Sequence, residues 1–219
     1  PRPRPTSASA AETFFVTPTL ASADRTTFMP ATIRLATPDD AGAVRSIYAP
    51  FVRETAIAFA TEVPSVPELR ERIAARLERY PWLVCERDGE VVGYAAADEL
   101  RATPPYDWTV ELSVYVAEGY RRSGVGRGLY TSLFAVLRAQ GFRNAYAITT
   151  LPNPASVRFH EAMGFEPAGD WPALGYTRGE WHDARWWRRS LGDHPDDPDP
   201  PTPLPDLDDA TLDDALTVG

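Results

Sequence analysis

The chain has 219 residues, of which 43% are hydrophobic, and a net charge of −9. That length is enough for one domain with a full core, and the acidic balance argues against nucleic acid as a partner. No apolar run approaches the roughly 18 residues that span a bilayer, so no membrane partner is expected. No charged-then-apolar leader opens the sequence. The lone cysteine, Cys85, excludes an internal disulfide framework and fits a reducing, cytoplasmic compartment. Every cation is arginine. Two explanations stand open for this: adaptation to high salt, where screening matters to an acidic surface, and arginine bias from a GC-rich genome.

Residues 1–30 are rich in Pro, Ser, Thr and Ala and lack periodicity, so they read as a mobile extension, with Met29 a possible natural start. The domain is expected over 31–191. Thr32–Ala36 reads as a strand. Thr37-Pro38-Asp39-Asp40 then opens a helix, with Thr as N-cap and Pro at the first position, and Pro50 should kink or end it. Ser65-Val66-Pro67-Glu68 is a capping box before a second helix striped by Leu69, Ile73, Leu77 and Tyr80. Trp82–Glu86 and Val91–Ala97 flank the turn Arg87-Asp88-Gly89-Glu90 as a hairpin. Val110–Val116 alternates: Val110, Leu112, Val114 and Val116 on one face, Glu111, Ser113 and Tyr115 on the other.

A helix from Gly124 to Gln140 follows, with Gly141 as its stop. Asn144–Thr149 is a strand, Asn153-Pro154 starts another helix that Gly164 ends, and two strands close the domain. The order βααβββαβαββ predicts an α/β fold with a mixed, mostly antiparallel sheet flanked by helices. From 192 to 219 the chain is an acidic, Pro- and Asp-rich tail. It is expected not to bury enough apolar surface to order itself, although Leu207, Leu212 and Leu216 could form a short terminal helix.

The chemistry-bearing feature is Arg121-Arg122-Ser123-Gly124-Val125-Gly126, between a strand and a helix. Backbone N–H groups, two arginines and a positive helix end can hold a diphosphate without a metal. A P-loop is excluded because the chain has no lysine. A dinucleotide fingerprint is incomplete because Leu129 occupies its third glycine position. A plain strand-to-helix turn would use the same glycines.

A second motif, Asn153-Pro154-Ala155-Ser156 through His160 to Gly164-Phe165, stands downstream. Together the two resemble the GNAT acyltransferase superfamily. Glu78-Arg79-Tyr80-Pro81-Trp82, Tyr106-Asp107-Trp108-Thr109-Val110-Glu111, Leu129-Tyr130-Thr131 and Gly179-Glu180-Trp181-His182-Asp183 are similar to its phosphinothricin N-acetyltransferase branch. The similarity runs from about Thr32 to Ser190 and covers neither tail.

The resemblance implies acetyl-CoA as co-substrate. The coenzyme arm would lie along Val114, Tyr115 and Val116, its pyrophosphate on Arg121, Arg122, Ser123, Gly124, Val125 and Gly126, with Asn153 and Ser156 nearby. It implies Glu111 as general base, His160 in a proton-relay or substrate role, and Tyr130 near the coenzyme sulfur. Phe59, Arg101 and Tyr106 would line the acceptor pocket, and the protein would be a homodimer. On pattern alone, Glu111 reads more readily as a solvated strand residue and His160 as a packed helix residue, and Tyr130 and Phe59 as plain core. His182 reads as a loop-fixing residue and Cys85 as core. His160, His182 and Cys85 lack metal-ligand spacing, so no metal is expected.

Relatives that acetylate phosphinothricin carry Lys-Ala-Arg where this chain has Arg101-Ala102-Thr103. Losing a bidentate fork for an oxyanion costs about 1.5–3 kcal/mol. Methionine sulfoximine or another small amino-acid-like amine therefore stands beside phosphinothricin as the expected acceptor. The expected reaction is direct transfer through a ternary complex. Transfer to a protein N-terminus, or a non-catalytic acyl-CoA-binding module, are the alternatives.

Overall fold

The computed structural model describes residues 31–219; the N-terminal stretch read above as an extension, including Met29, lies outside the described residues. The elements are β1 (Thr32–Leu35), α1 (Ala41–Glu54), α2 (Val66–Leu77), β2 (Trp82–Arg87), β3 (Glu90–Glu99), β4 (Thr109–Val116), α3 (Val125–Gln140), β5 (Asn144–Leu151), α4 (Pro154–Ala162), β6 (Glu166–Thr177), β7 (Glu180–Ser190) and α5 (Asp209–Thr217). One seven-stranded sheet runs β1-β2-β3-β4-β5-β7-β6, antiparallel except where β4 meets β5. This is the expected α/β architecture with one added helix.

Local chemistry explains most boundaries. Asp88 and Gly89 both have positive φ, 54° and 79°, so the β2–β3 hairpin closes on a two-residue Asp-Gly turn, shorter than expected. Ser65 and Glu68 form the reciprocal capping box that starts α2. Gly141, at φ 95°, ends α3, where the Phe142 N–H bonds to the Leu137 carbonyl. Two expectations need correction at α1. Pro38–Asp40 forms a 3-10 turn before the α-helix begins. The helix also continues past Pro50 to Glu54, because Ile47, Ala49 and Val52 stay buried on either side of it, and one missing N–H bond does not outweigh that packing.

The sheet has a core on each face. Leu129, Leu133 and Leu137 of α3 pack on Val92, Ala95, Val110 and Leu112. Val44, Ile47, Leu69 and Ile73 of α1 and α2 pack on Val84, Tyr94 and Ala96. Cys85 is buried and unpaired.

The tail departs furthest from expectation. It straps across α3 and buries Leu204 and Ala215 against Val136, with Leu207, Leu212 and Leu216 alongside. The Thr202 N–H donates to the Gln140 carbonyl at 2.7 Å, and Gln140 Nε2 donates back to the Thr202 carbonyl at 2.9 Å. Trp108 Nε1 donates to the Asp199 carbonyl at 2.8 Å, and Ser132 Oγ to the Leu216 carbonyl at 3.0 Å. The prolines explain why ordering is affordable: φ is fixed at each of them in the unfolded chain too, so less entropy is lost on folding. Leu204→Ala should destabilise the protein by about 2–3 kcal/mol in chemical denaturation. An unchanged midpoint would mean that the strap contributes no packing.

Candidate active site

Pairing between β4 and β5 stops early. Only Thr109–Asn144, Val110–Ala145 and Glu111–Tyr146 face each other, although β4 runs to Val116 and β5 to Leu151. The outer edges of both strands stay bonded, β4 to β3 and β5 to β7, along their lengths. The sheet therefore opens into a wedge whose apex is Glu111. Among the described residues, β4 from Leu112 onward has no strand partner on its β5 side, and the backbone donors and acceptors it presents there are ones an amide-bearing extended ligand can complete.

The wedge leads to the glycine loop. Arg122 and Gly124 take positive φ, 63° and 93°, and turn the chain sharply into α3. The first intrahelical bond is made by the Gly128 N–H to the Gly124 carbonyl, 2.9 Å, so the N–H groups of Val125, Gly126 and Arg127 have no intrahelical carbonyl. With the helix dipole they form an anion cradle. A Cβ on Gly126 would lie 3.4 Å from the Phe159 ring and 3.7 Å from Val116, so glycine brings this turn close to the end of β4. Ser123 Oγ donates to the Tyr120 carbonyl at 2.6 Å and stiffens the loop. The two arginines differ in their surroundings. Both are exposed, but among the described residues only the Arg121 guanidinium lies over a ring, 5.0 Å from the centroid of Phe51 in α1. Arg121 there borders a cavity of about 720 Å³ whose wall also carries Glu54, Glu86, Glu90 and Glu118. Those carboxylates would repel a diphosphate, so the amide loop is the better anion site.

Glu111 faces the α1–α2 side. Its register partner across the ladder is Asp98, so two carboxylates stand side by side. Arg76 of α2 pairs with Asp98. Burial, and then the Asp98 charge, raise the Glu111 carboxyl above its ordinary range; burial likewise raises Asp98, against the opposing pull of Arg76. A second cavity, about 280 Å³, opens here between α2 and the sheet.

His160 and Tyr130 lie in the core on the α3 side. The His160 ring stacks on Trp187 with centroids 5.6 Å apart and meets Tyr130, Phe159 and Phe165 edge-on. Its Nδ1 lies 2.8 Å from the Ser156 carbonyl, which can only accept, so Nδ1 carries the proton and Nε2 is the bare nitrogen. Burial holds the imidazole below its usual pKa and hence neutral. Trp187 Nε1 donates to Thr149 Oγ1, which meets Ser156 Oγ at 3.0 Å, and that hydroxyl lies 3.2 Å from His160 Nδ1. This buried chain fixes the tautomer. Among the described residues, His160 Nε2 and the Tyr130 hydroxyl are both buried without a partner. Burial, then the charges of Tyr115 and Glu111, push the Tyr130 phenol far up, so it stays protonated.

The remaining candidates are scattered. Val114 and Val116 pack toward α3, while the Tyr115 ring joins Tyr48, Phe51 and Tyr94, leaving its backbone to the wedge. Asn153 Oδ1 caps α4 by accepting from the Ser156 N–H at 3.1 Å, and the Ser156 hydroxyl bonds inward. Phe59, at φ 43°, packs near Gly175 and lies 6.4 Å from the His182 ring. His182 bonds to the Thr177 carbonyl at 3.1 Å across the β6–β7 turn. Arg101 lies 5.9 Å over the Tyr106 ring, and both are exposed. Sequence reasoning missed Asp98 and the Thr149–Ser156–Trp187 chain. Their only signal was that Asp98 keeps the face of Tyr94 and Ala96, and its opposite number depends on strand register.

Residues 33–186 match the Acetyltransferase (GNAT) domain. A phosphinothricin N-acetyltransferase of Streptomyces viridochromogenes is 41% identical over 80% of this chain and 93% of its own length. An L-methionine sulfoximine/L-methionine sulfone acetyltransferase of Salmonella typhimurium is 34% identical over 74% of this chain and 96% of its own. The crystal structure of a Sinorhizobium meliloti phosphinothricin acetyltransferase in complex with acetyl-CoA superposes with a TM-score of 0.72. It is 32% identical and covers 75% of this chain and 90% of that one. The wedge, the amide cradle and the unpartnered Tyr130 hydroxyl suit a co-substrate that joins a diphosphate to an amide-bearing arm and a thioester. Fold, site and relatives agree that the chain belongs to the GNAT acetyltransferase family and is an acetyl-CoA-dependent N-acetyltransferase.

Proposed function

We propose that this enzyme acetylates the amine of a small amino-acid-like acceptor, of the phosphinothricin or methionine sulfoximine type, by direct attack within a ternary complex. The observation that carries the reading is the position of Glu111 at the wedge apex, half-buried, with a carboxyl raised in pKa. A raised carboxylate is a better base for an ammonium than an ordinary one. Acetyl-CoA supplies the activated acetyl group. Main-chain groups of Val114 and Val116 align its arm, and the amides of Val125 and Gly126 hold its diphosphate. Glu111 takes the ammonium proton, Tyr130 donates toward the departing sulfur, and the bare Nε2 of His160 accepts in a proton relay. The relatives' names support the acceptor class.

A homodimer and a cytoplasmic location go with this reading. Trp171, Leu174, Tyr176 and Trp181 leave a large apolar surface exposed on the β6–β7 hairpin, suited to a second copy. No described helix is long and apolar enough to cross a membrane.

Steady-state kinetics should give intersecting double-reciprocal lines. Parallel lines, or an acetylated protein isolated without acceptor, would refute direct transfer. Glu111→Gln should lower kcat about 10²–10⁴-fold. It should also stabilise the protein at neutral pH, because an ionised carboxylate no longer has to be buried. In the folded state the raised Glu111 pKa means that the wild type loses stability as pH rises through it. The variant's advantage should therefore vanish in acid, where Glu111 is protonated, and equal thermal midpoints at neutral pH would contradict this. Tyr130→Phe should cost about tenfold in kcat with little change in stability, and unchanged kcat would leave Tyr130 a core residue only.

A further inference from the structure

The smaller cavity has walls of opposite charge. Its floor is the β3–β4 ladder, where Asp98 and Glu111 oppose each other. Its far wall is α2, where Arg72 and Arg76 stand one turn apart on one helix face. Arg76 is occupied by Asp98. Arg72 is exposed and, among the described residues, makes no ion pair; its charge is felt by Glu68 on the same helix and by Tyr48. Trp82 adds apolar surface between the charged walls. At about 280 Å³ the cavity suits one small molecule and lies at the lower edge of ordinary ligand pockets.

An acceptor held here needs a positive group at the carboxylate floor and gains from a negative group at the arginine wall. A free α-amino acid carries both, a few bond lengths apart. A peptide N-terminus carries no α-carboxylate, and a simple amine leaves Arg72 without a partner. We propose that this cavity is the acceptor subsite, with Arg72 binding the α-carboxylate of a free amino acid while its amine faces Glu111. The proposal rests on the acetyltransferase reading above and narrows it. It also answers the loss of a cation at Thr103, since Arg72 supplies one from a different element. Asp98, held by Arg76, flanks the amine and keeps the floor negative.

The test compares L-methionine sulfone with 3-(methylsulfonyl)propylamine, the same molecule without its carboxylate. In Arg72→Met the KM for the sulfone should rise roughly tenfold or more with kcat within about twofold, while the KM for the amine stays put. Arg72→Glu should go further and turn the preference toward the amine. Arg72 is exposed, so neither change threatens folding. Equal effects on both acceptors, or no effect on either, would overturn the assignment of Arg72 while leaving the acetyltransferase reading intact. Acetylation of peptide N-termini in preference to free amino acids would also overturn it. A wild-type enzyme that acetylates no amino acid at all would sink both readings together.

Discussion

The early parting of β4 from β5 is the constraint on which the rest depends. Three paired residues hold the strands together, and beyond Glu111 they separate while each keeps its other neighbour. A sheet interrupted in this way leaves backbone groups that protein alone does not satisfy, and such groups are costly unless water or a ligand completes them. The split is held open from both sides. α3 begins at the end of β4 with its Gly126 close to Val116 and Phe159, and α4 follows β5 with its capping network tied back to Thr149. Binding and chemistry are thus built into the secondary structure, and the reacting carboxylate sits where the two strands divide.

Electrostatics then separate the two sides of the sheet. On the α1–α2 side, carboxylates and arginines gather at a cavity, and burial beside Asp98 makes Glu111 basic. On the α3 side, the titratable groups are neutral and enclosed: His160 stacked on Trp187, Tyr130 among phenylalanines. Desolvation works in opposite senses for these groups. It raises acids and lowers histidine, so each is driven toward its uncharged form. One fold in this way carries a strengthened base on one face of the sheet and a neutral imidazole and a protonated phenol on the other.

The acidic tail has a physical role that its composition conceals. Aspartate and proline dominate it, yet its few leucines land on the back of α3, and α3 is the helix whose first turn forms the anion cradle. The strap lies beyond the stretch matched by the family. It encloses the side of α3 turned away from the wedge, covering Val136 and Ser132.

Much of this protein was legible in the sequence because its signals are local. The Ser65–Glu68 box, the Asp88-Gly89 turn, Gly124 and Gly141 at the ends of α3, and the alternation of β4 each depend on a few neighbouring residues. The chain therefore determined its element order and the amide cradle, while Glu111 stood out as the candidate base only through the resemblance of its motif to the acetyltransferase branch. What the tertiary structure decided depends on partners distant in sequence. Asp98 meets Glu111 only through the β3–β4 register, and Arg72 reaches the same cavity only because α2 lies over those strands. His160 is neutral because Trp187 and Phe165 close around it, which no spacing reveals. The tail orders because α3 offers it an apolar groove, a property of the folded surface and not of the tail's own composition.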